Sequence, residues 1–190
     1  YGMTKYVIEK FLNDIYNSFP KNWKVANLRY FNPIGAHSSG QIGEDPTGFP
    51  SNIFPLILKV ASGKIPFLKV FGNDWDTSDG TGVRDYIHVM DLAEGHIKTL
   101  EHLENHHEQI LALNLGTGIG TSVLELINTF EKENNVKVPF IFEAKRAGDV
   151  DKLVANNFLA TKTLRWSPQR SIKEMCKDGW NWAKFNPDGY

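Results

Sequence analysis

The sequence predicts an α/β chain that contains part of a doubly wound parallel sheet, and three observations lead there. An amphipathic helical pattern over residues 4–17 runs into a short apolar segment, which is half of a doubly wound unit. A second apolar run, Ile110 to Leu115, is followed by closely spaced glycines and another helical pattern. Helix-period and strand-period segments alternate along the rest of the chain, separated by stretches rich in Gly, Pro, Ser and Asp.

Residues 4–17 place Ile8, Phe11, Leu12 and Ile15 at i, i+3, i+4 and i+7, the stripe of a helix with one buried face, and Phe19-Pro20 ends it. Lys24 to Phe31 (KVANLRYF) mixes Val25, Leu28, Tyr30 and Phe31 into a run that reads as a buried parallel strand. Asn32 to Pro50 reads as a loop, and one so long in a compact domain usually carries function. Pro55 to Ala61 reads as a short helix, Phe67 to Phe71 as a strand, Gly72 to Gly82 as a polar loop and Asp85 to Val89 as a strand. Asp91 to Leu103 has Leu92, His96, Leu100 and Leu103 in helical register, with Asp91 as the expected N-terminal cap.

Ile110 to Leu115 reads as a second buried strand, and a helix from Ser122 to Lys132 is opened by the capping box Ser122-x-x-Glu125. Phe140 to Glu143 reads as a strand, residues 144–152 as a charged loop and Asn156 to Leu164 as a short helix. Ser171 to Phe185 ends the series as an amphipathic helix with Ile172, Met175, Cys176, Trp180 and Trp182.

With 41% hydrophobic and 23% charged residues, the composition fits one globular domain, or one and a fraction. A net charge of -1 argues against a nucleic-acid partner, because phosphate neutralisation needs a concentrated excess of Lys and Arg. The single cysteine, Cys176, cannot form an internal disulfide and reads as a buried structural thiol in a reducing, cytoplasmic setting. No apolar run approaches the roughly 18 to 20 residues that span a bilayer, so no membrane partner is expected. The sequence opens on Tyr1, not on methionine, and a longer parent polypeptide is expected.

Tyr1-x-x-x-Lys5 puts two groups one helical turn apart on the same face. A tyrosine, with an ordinary pKa of about 10, is a poor base near neutrality, and a neighbouring ammonium favours its phenolate. The segment from Arg29 to Gly35 (RYFNPIG) lies just past a predicted strand, where open parallel sheets bind ligands. Gly116-x-Gly-x-Gly120 also follows a strand, but it lacks the spacing and the ribose-binding acid of a dinucleotide fingerprint, so it reads as structural. His102, His106 and His107 have no partner ligands in the pattern and read as a solvated helix end, so no metal is expected.

The stretches GAHSSGQIGEDPTGFPSNIFP, VFGNDWDTSDGTGVRDYIHVMDLAEGHI and NLGTGIGTSVLELI closely resemble UDP-glucose (UDP-galactose) 4-epimerases of the extended short-chain dehydrogenase/reductase family, near-continuously from Tyr1 to Tyr190. The resemblance implies a Rossmann-type NAD-binding domain, of which residues 1–33 and 85–120 would be the remainder. It also implies a smaller α/β nucleotide-sugar domain made of residues 34–84 and 121–190. Tyr1 matches the general base that takes the proton from the sugar 4-hydroxyl, and Lys5 the lysine that holds the nicotinamide ribose and keeps the tyrosine acidic. Tyr30 and Pro33 match positions lining the nicotinamide pocket. For UDP-galactose or UDP-glucose the resemblance implies Asn32 near the hexose, Asn52 and Ile53 around the diphosphate, and Phe71 and Gly72 at the uracil. Arg84 and Arg146 would hold phosphate oxygens, Asp149 the ribose, and Tyr86 would lie in the pocket. Forked, permanently charged guanidinium groups suit a diphosphate. A homodimer through the first helix is also implied.

Two departures bear on this. No glycine-rich NAD loop and no Ser/Thr partner for the 4-hydroxyl are present, so the 190 residues alone are expected to bind NAD poorly and to lack epimerase activity. Leu153 falls where other members carry a bulky tyrosine or a small cysteine, and its intermediate size predicts a preference for UDP-galactose and UDP-glucose with some tolerance of N-acetylated sugars. Two other functions compete: a dehydratase or decarboxylase of the same family, and a non-catalytic UDP-sugar-binding module.

Overall fold

The computed structural model describes residues 2–20 and 22–190. In chain order the elements are α1 (Gly2–Ser18), β1 (Lys24–Tyr30), β2 (Asn32–Ile34), α2 (Ile53–Ala61), β3 (Leu68–Phe71), β4 (Val83–His88), α3 (Val89–Asn105), β5 (Gln109–Leu115), β6 (Gly120–Ser122), α4 (Val123–Asn134), β7 (Phe140–Glu143), β8 (Lys152–Leu153), α5 (Phe158–Leu164) and α6 (Ile172–Phe185). The chain is thus α/β, with parallel pairing dominant. β1 pairs with β5, β2 with β4 and β3 with β7, all parallel. The first half of β4 runs antiparallel to β6 and parallel to β8.

The pleat of β4 divides the molecule, because successive side chains of a strand point to opposite faces. Tyr86 enters a core built from Phe54, Ile57 and Val60 of α2, Leu68 and Val70 of β3, Leu126, Ile127 and Phe130 of α4, and Met175 and Cys176 of α6. Ile87, one residue on, enters a second core with Leu92, Leu113, Leu115, Ala160, Leu164 and Trp166. Arg84 lies on the Tyr86 side and Asp85 on the other. Cys176 is fully buried, and burial pushes its thiol pKa up to about 12, so it packs as a small apolar group. Among the described residues no helix is long and apolar enough to cross a membrane.

Several expectations need correction. The cap of α3 is His88, whose Nδ1 accepts from the Met90 N–H at 3.0 Å, whereas Asp91 lies inside the first turn and is buried against Arg170. On α3 the buried face runs through Leu92, Gly95 and Thr99, and Leu100 is 61% exposed. The stripe of α1 is not buried: Leu12 and Ile15 are half covered, while Ile8 and Phe11 are exposed, because the helix rests along β5 with no described element over its outer side. For the same reason β1 is only half buried. Three short strands arise inside segments read as loops: β2 after Phe31, β6 at the end of the glycine run and β8 at the end of the charged loop. Each is too short to show a period and exists because β4 supplies its ladder. Ser122 does open α4 with a capping box, and Ser171 opens α6 with a second one.

Candidate active site

A cleft opens on the Arg84 and Tyr86 face of β4, and pieces far apart in sequence converge on it. It is lined by Asn32, Asn52, Ile53, Phe71, Arg84, Tyr86, Arg146 and Asp149 among the expected residues. Asn32 sits beside Tyr86 because β2 pairs with β4 in that register. Asn52 occupies the N-cap position of α2 with extended backbone, yet its side chain makes no capping bond, so the N–H groups of Ile53 and Phe54 at the positive end of the helix dipole take no acceptor from it, and Pro55 has no N–H to satisfy. Phe71 ends β3, and Arg146 and Asp149 come from the loop between β7 and β8.

The electrostatics favour an anion. The Arg84 Nη1 donates to the Val83 carbonyl at 2.9 Å, and among the described residues no carboxylate pairs with this guanidinium. Arg146 Nε donates to Asp149 Oδ2 at 3.0 Å while the guanidinium lies 4.5 Å from the centre of the Phe71 ring. Lys69, also on the lining, is balanced by Glu143 at 3.0 Å. Burial pushes the Tyr86 phenol far above its ordinary pKa, even against the nearby Arg84, so it stays neutral.

The remaining expected residues fall around this cleft. Gly72 is buried next to Phe71 with φ +83°, a left-handed backbone that favours glycine. Leu153 lies on β8 opposite Arg84 in the ladder, 51% exposed and outside the lining. Pro33 lines an adjoining apolar groove with Gly35, Ile42, Val89, Met90 and Ala93, and Asn52 borders both depressions. Tyr30 ends β1 with its hydroxyl 2.6 Å from His96 Nε2. Lys5 is exposed in the first turns of α1, and Tyr1 lies outside the described residues. Sequence reasoning missed Trp75, Leu56 and Val123 on the lining; an aromatic residue inside a glycine-bearing polar loop was the available signal for Trp75.

The glycine run after β5 binds an internal anion. The buried Asp85 carboxylate accepts from Thr117 N–H at 2.8 Å, Thr117 Oγ1 at 2.6 Å, Gly118 N–H at 2.8 Å and Ala155 N–H at 3.1 Å. This is the donor nest that could have cradled a phosphate, already filled by the protein itself. Asp79 ties the loop before β4 to α4: it accepts from Thr81 and from Ser122, and these bonds hold its pKa down although burial works against them. Among the described residues no group of three or more His, Cys, Asp or Glu could hold a metal ion; His102 and His106 merely stack at 3.9 Å.

The family model described as GDP-mannose 4,6 dehydratase matches residues 1–179. The chain is 52% identical over its whole length to UDP-glucose 4-epimerase 1 of Oryza sativa subsp. japonica, of which it covers 54%. It is 50% identical to the UDP-glucose 4-epimerase of Bacillus subtilis (strain 168), covering 56% of it. A solved UDP-glucose 4-epimerase from Bifidobacterium longum, in complex with NAD+ and UDP, aligns with all of this chain and 56% of its own at TM-score 0.95 and 44% identity. One from Stenotrophomonas maltophila, with bound NAD and formylated UDP-arabinopyranose, aligns over 98% of this chain and 55% of its own at TM-score 0.95 and 46% identity. The chain spans about half the length of the curated relatives it matches.

Proposed function

The chain belongs to the GDP-mannose 4,6 dehydratase family, among the extended short-chain dehydrogenases/reductases, and from that premise we propose that it serves an NAD-dependent 4-epimerase interconverting UDP-galactose and UDP-glucose. The observation that carries the proposal is the convergence of Arg84, Arg146 and the uncapped start of α2 on one cleft. Two guanidinium groups and the N-terminus of a helix without a side-chain cap are the donor set a diphosphate needs. In this reading Arg84 and Arg146 grip the diphosphate with Asn52 and Ile53, Asp149 takes the ribose, Phe71 and Gly72 meet the uracil, and Asn32 and Tyr86 face the hexose. Arg146 must then exchange its bond to Asp149 for the ligand, which leaves Asp149 free for a ribose hydroxyl.

Tyr1 is the proposed base for the sugar 4-hydroxyl, with Lys5, four positions on in the sequence, as the proposed cation that favours its phenolate. NAD, when bound, supplies hydride acceptance and return at C4. The groove beside Pro33 is mostly apolar, which suits the face of a nicotinamide ring, with His37 and Glu44 among its polar members, and it adjoins the cleft through Asn52. The chain's own glycine nest is filled by Asp85, so the pyrophosphate of NAD needs donors other than these. We assign residues 1–33 and 85–120 to the cofactor side and 34–84 and 121–190 to the sugar-nucleotide side. A homodimer through α1 and a cytoplasmic setting complete the proposal. A preference for the plain hexoses with some tolerance of N-acetyl groups is proposed from the intermediate size of Leu153, which pairs with Arg84 in the ladder but lies outside the lining, and relative kcat/KM on the two sugar classes would measure it.

The test is product analysis: the polypeptide encoded by the whole gene, incubated with NAD and UDP-galactose, yields UDP-glucose. A 4-keto-6-deoxy product would move it to the dehydratases, and binding without turnover would leave a sugar-nucleotide module. Arg84→Ala should weaken UDP binding by about 2 kcal/mol, roughly thirtyfold, in calorimetry.

A further inference from the structure

The loop between β3 and β4 brings Trp75 onto the lining of the cleft beside Phe71, and its indole is held there from several sides. Its Nε1–H donates to the Phe71 carbonyl oxygen at 3.1 Å. Its backbone closes a turn, the N–H donating to the Gly80 carbonyl at 2.9 Å and the carbonyl accepting from the Thr77 N–H at 2.8 Å. Lys145 Nζ stands 4.4 Å from the ring centroid, and that ammonium is held by the Asp74 carboxylate at 3.0 Å. The indole also lies against bare backbone: a Cβ at Gly72 would come within 2.3 Å of Nε1. The next residue, Arg146, covers Phe71 at 4.5 Å, so two consecutive cations of one loop each pin an aromatic ring of another.

We propose that Trp75 is a specificity-determining residue that closes the base end of the cleft and confines it to pyrimidine nucleotides. The inference rests on the nucleotide-sugar reading above, which puts the base at Phe71 and Gly72. A purine carries a fused five-membered ring beyond the space that a pyrimidine fills. Admitting it requires the indole to swing out, which strips the Phe71 carbonyl of its donor and takes the ring away from Gly72 and Lys145. A wall held this way rejects by shape, which is how a site discriminates without a dedicated contact to the rejected ligand.

Calorimetric titration of the whole-gene polypeptide with UDP and with GDP tests this. Wild type should prefer UDP, and Trp75→Ala should lower the UDP-to-GDP affinity ratio by about tenfold or more, chiefly through GDP gained, with Trp75→Phe keeping most of the preference. Lys145→Met, which removes the cation and leaves the ring, should lower the ratio by roughly twofold to fivefold. Should the alanine variant not fold, Trp75→Leu shortens the wall while keeping an apolar side chain, and the same direction of change is expected. An unchanged ratio, a wild type that takes GDP as well as UDP, or a proportional loss of both ligands that phenylalanine restores would each overturn the assignment. A wild type that binds neither diphosphate would sink the nucleotide-sugar reading and this inference together, whereas UDP binding with an unaltered ratio in the variants sinks the inference alone.

Discussion

A single buried carboxylate organises much of the site's frame. Asp85 is fully buried and joins the turn after β5 to the segment after β8, while its neighbours Arg84 and Tyr86 face the cleft. Asp85→Ala would take the acceptor from the N–H groups of Thr117, Gly118 and the buried Ala155, at a cost of about 2–3 kcal/mol, read as a fall in the urea midpoint. His88 sets the response to acid. Burial holds its pKa below the ordinary 6.5, outweighing the pull of Asp178 at 3.1 Å and the smaller one of Asp91, with Arg170 acting in the same direction as burial. The unfolded chain takes up this proton at the ordinary value and the folded chain resists it, so stability falls as pH drops below 6.5. Protonation would also remove the Nδ1 acceptor that caps α3. Urea midpoints between about pH 7.5 and 5.5 should therefore decline less in His88→Asn, which can still cap and does not titrate.

At the scale of elements, local pattern and packing compete, and the outcome can be read position by position. α4 and α6 were legible because an amphipathic face and a capping serine make helix ends local events, as Ser122 shows. In α6, Gly179 is helical, and alanine there would gain about 1 kcal/mol of helix propensity. Its Cβ, however, would come within 2.3 Å of the buried Phe54 ring on α2, and overpacking costs about 1–3 kcal/mol. Gly179→Ala should thus lower Tm in a thermal melt in spite of the propensity gain. β6 and β8 were illegible for the opposite reason. Three and two residues long, they are strands only because β4 pairs with them, and no window of their own sequence carries that information. His88 as a cap escaped notice because a helix start was sought at the favoured residue type, Asp91, and Arg170, 79 positions away, claims that carboxylate.

At the scale of the whole molecule, one strand serves two cores, and one helix stands nearly uncovered. The outer side of α1 exposes Tyr6, Val7, Ile8 and Phe11, the last at 63%. If the proposed homodimer forms there, Phe11→Glu should convert the whole-gene polypeptide to monomer in sedimentation velocity, with UDP affinity unchanged because the cleft lies on other elements. A wild type that is already monomeric would remove the dimer from the proposal. The sequence by itself determined the α/β class and most helices and strands, because propensity, period and caps are written in neighbouring residues. Only the tertiary structure decided that Arg84 and Arg146 share a cleft, that Asp85 occupies the glycine nest, and that Trp75 walls the end beside Phe71. Those facts depend on groups tens of residues apart meeting at contact distance, and local sequence carries no record of which distant partner satisfies a buried charge or fills a space.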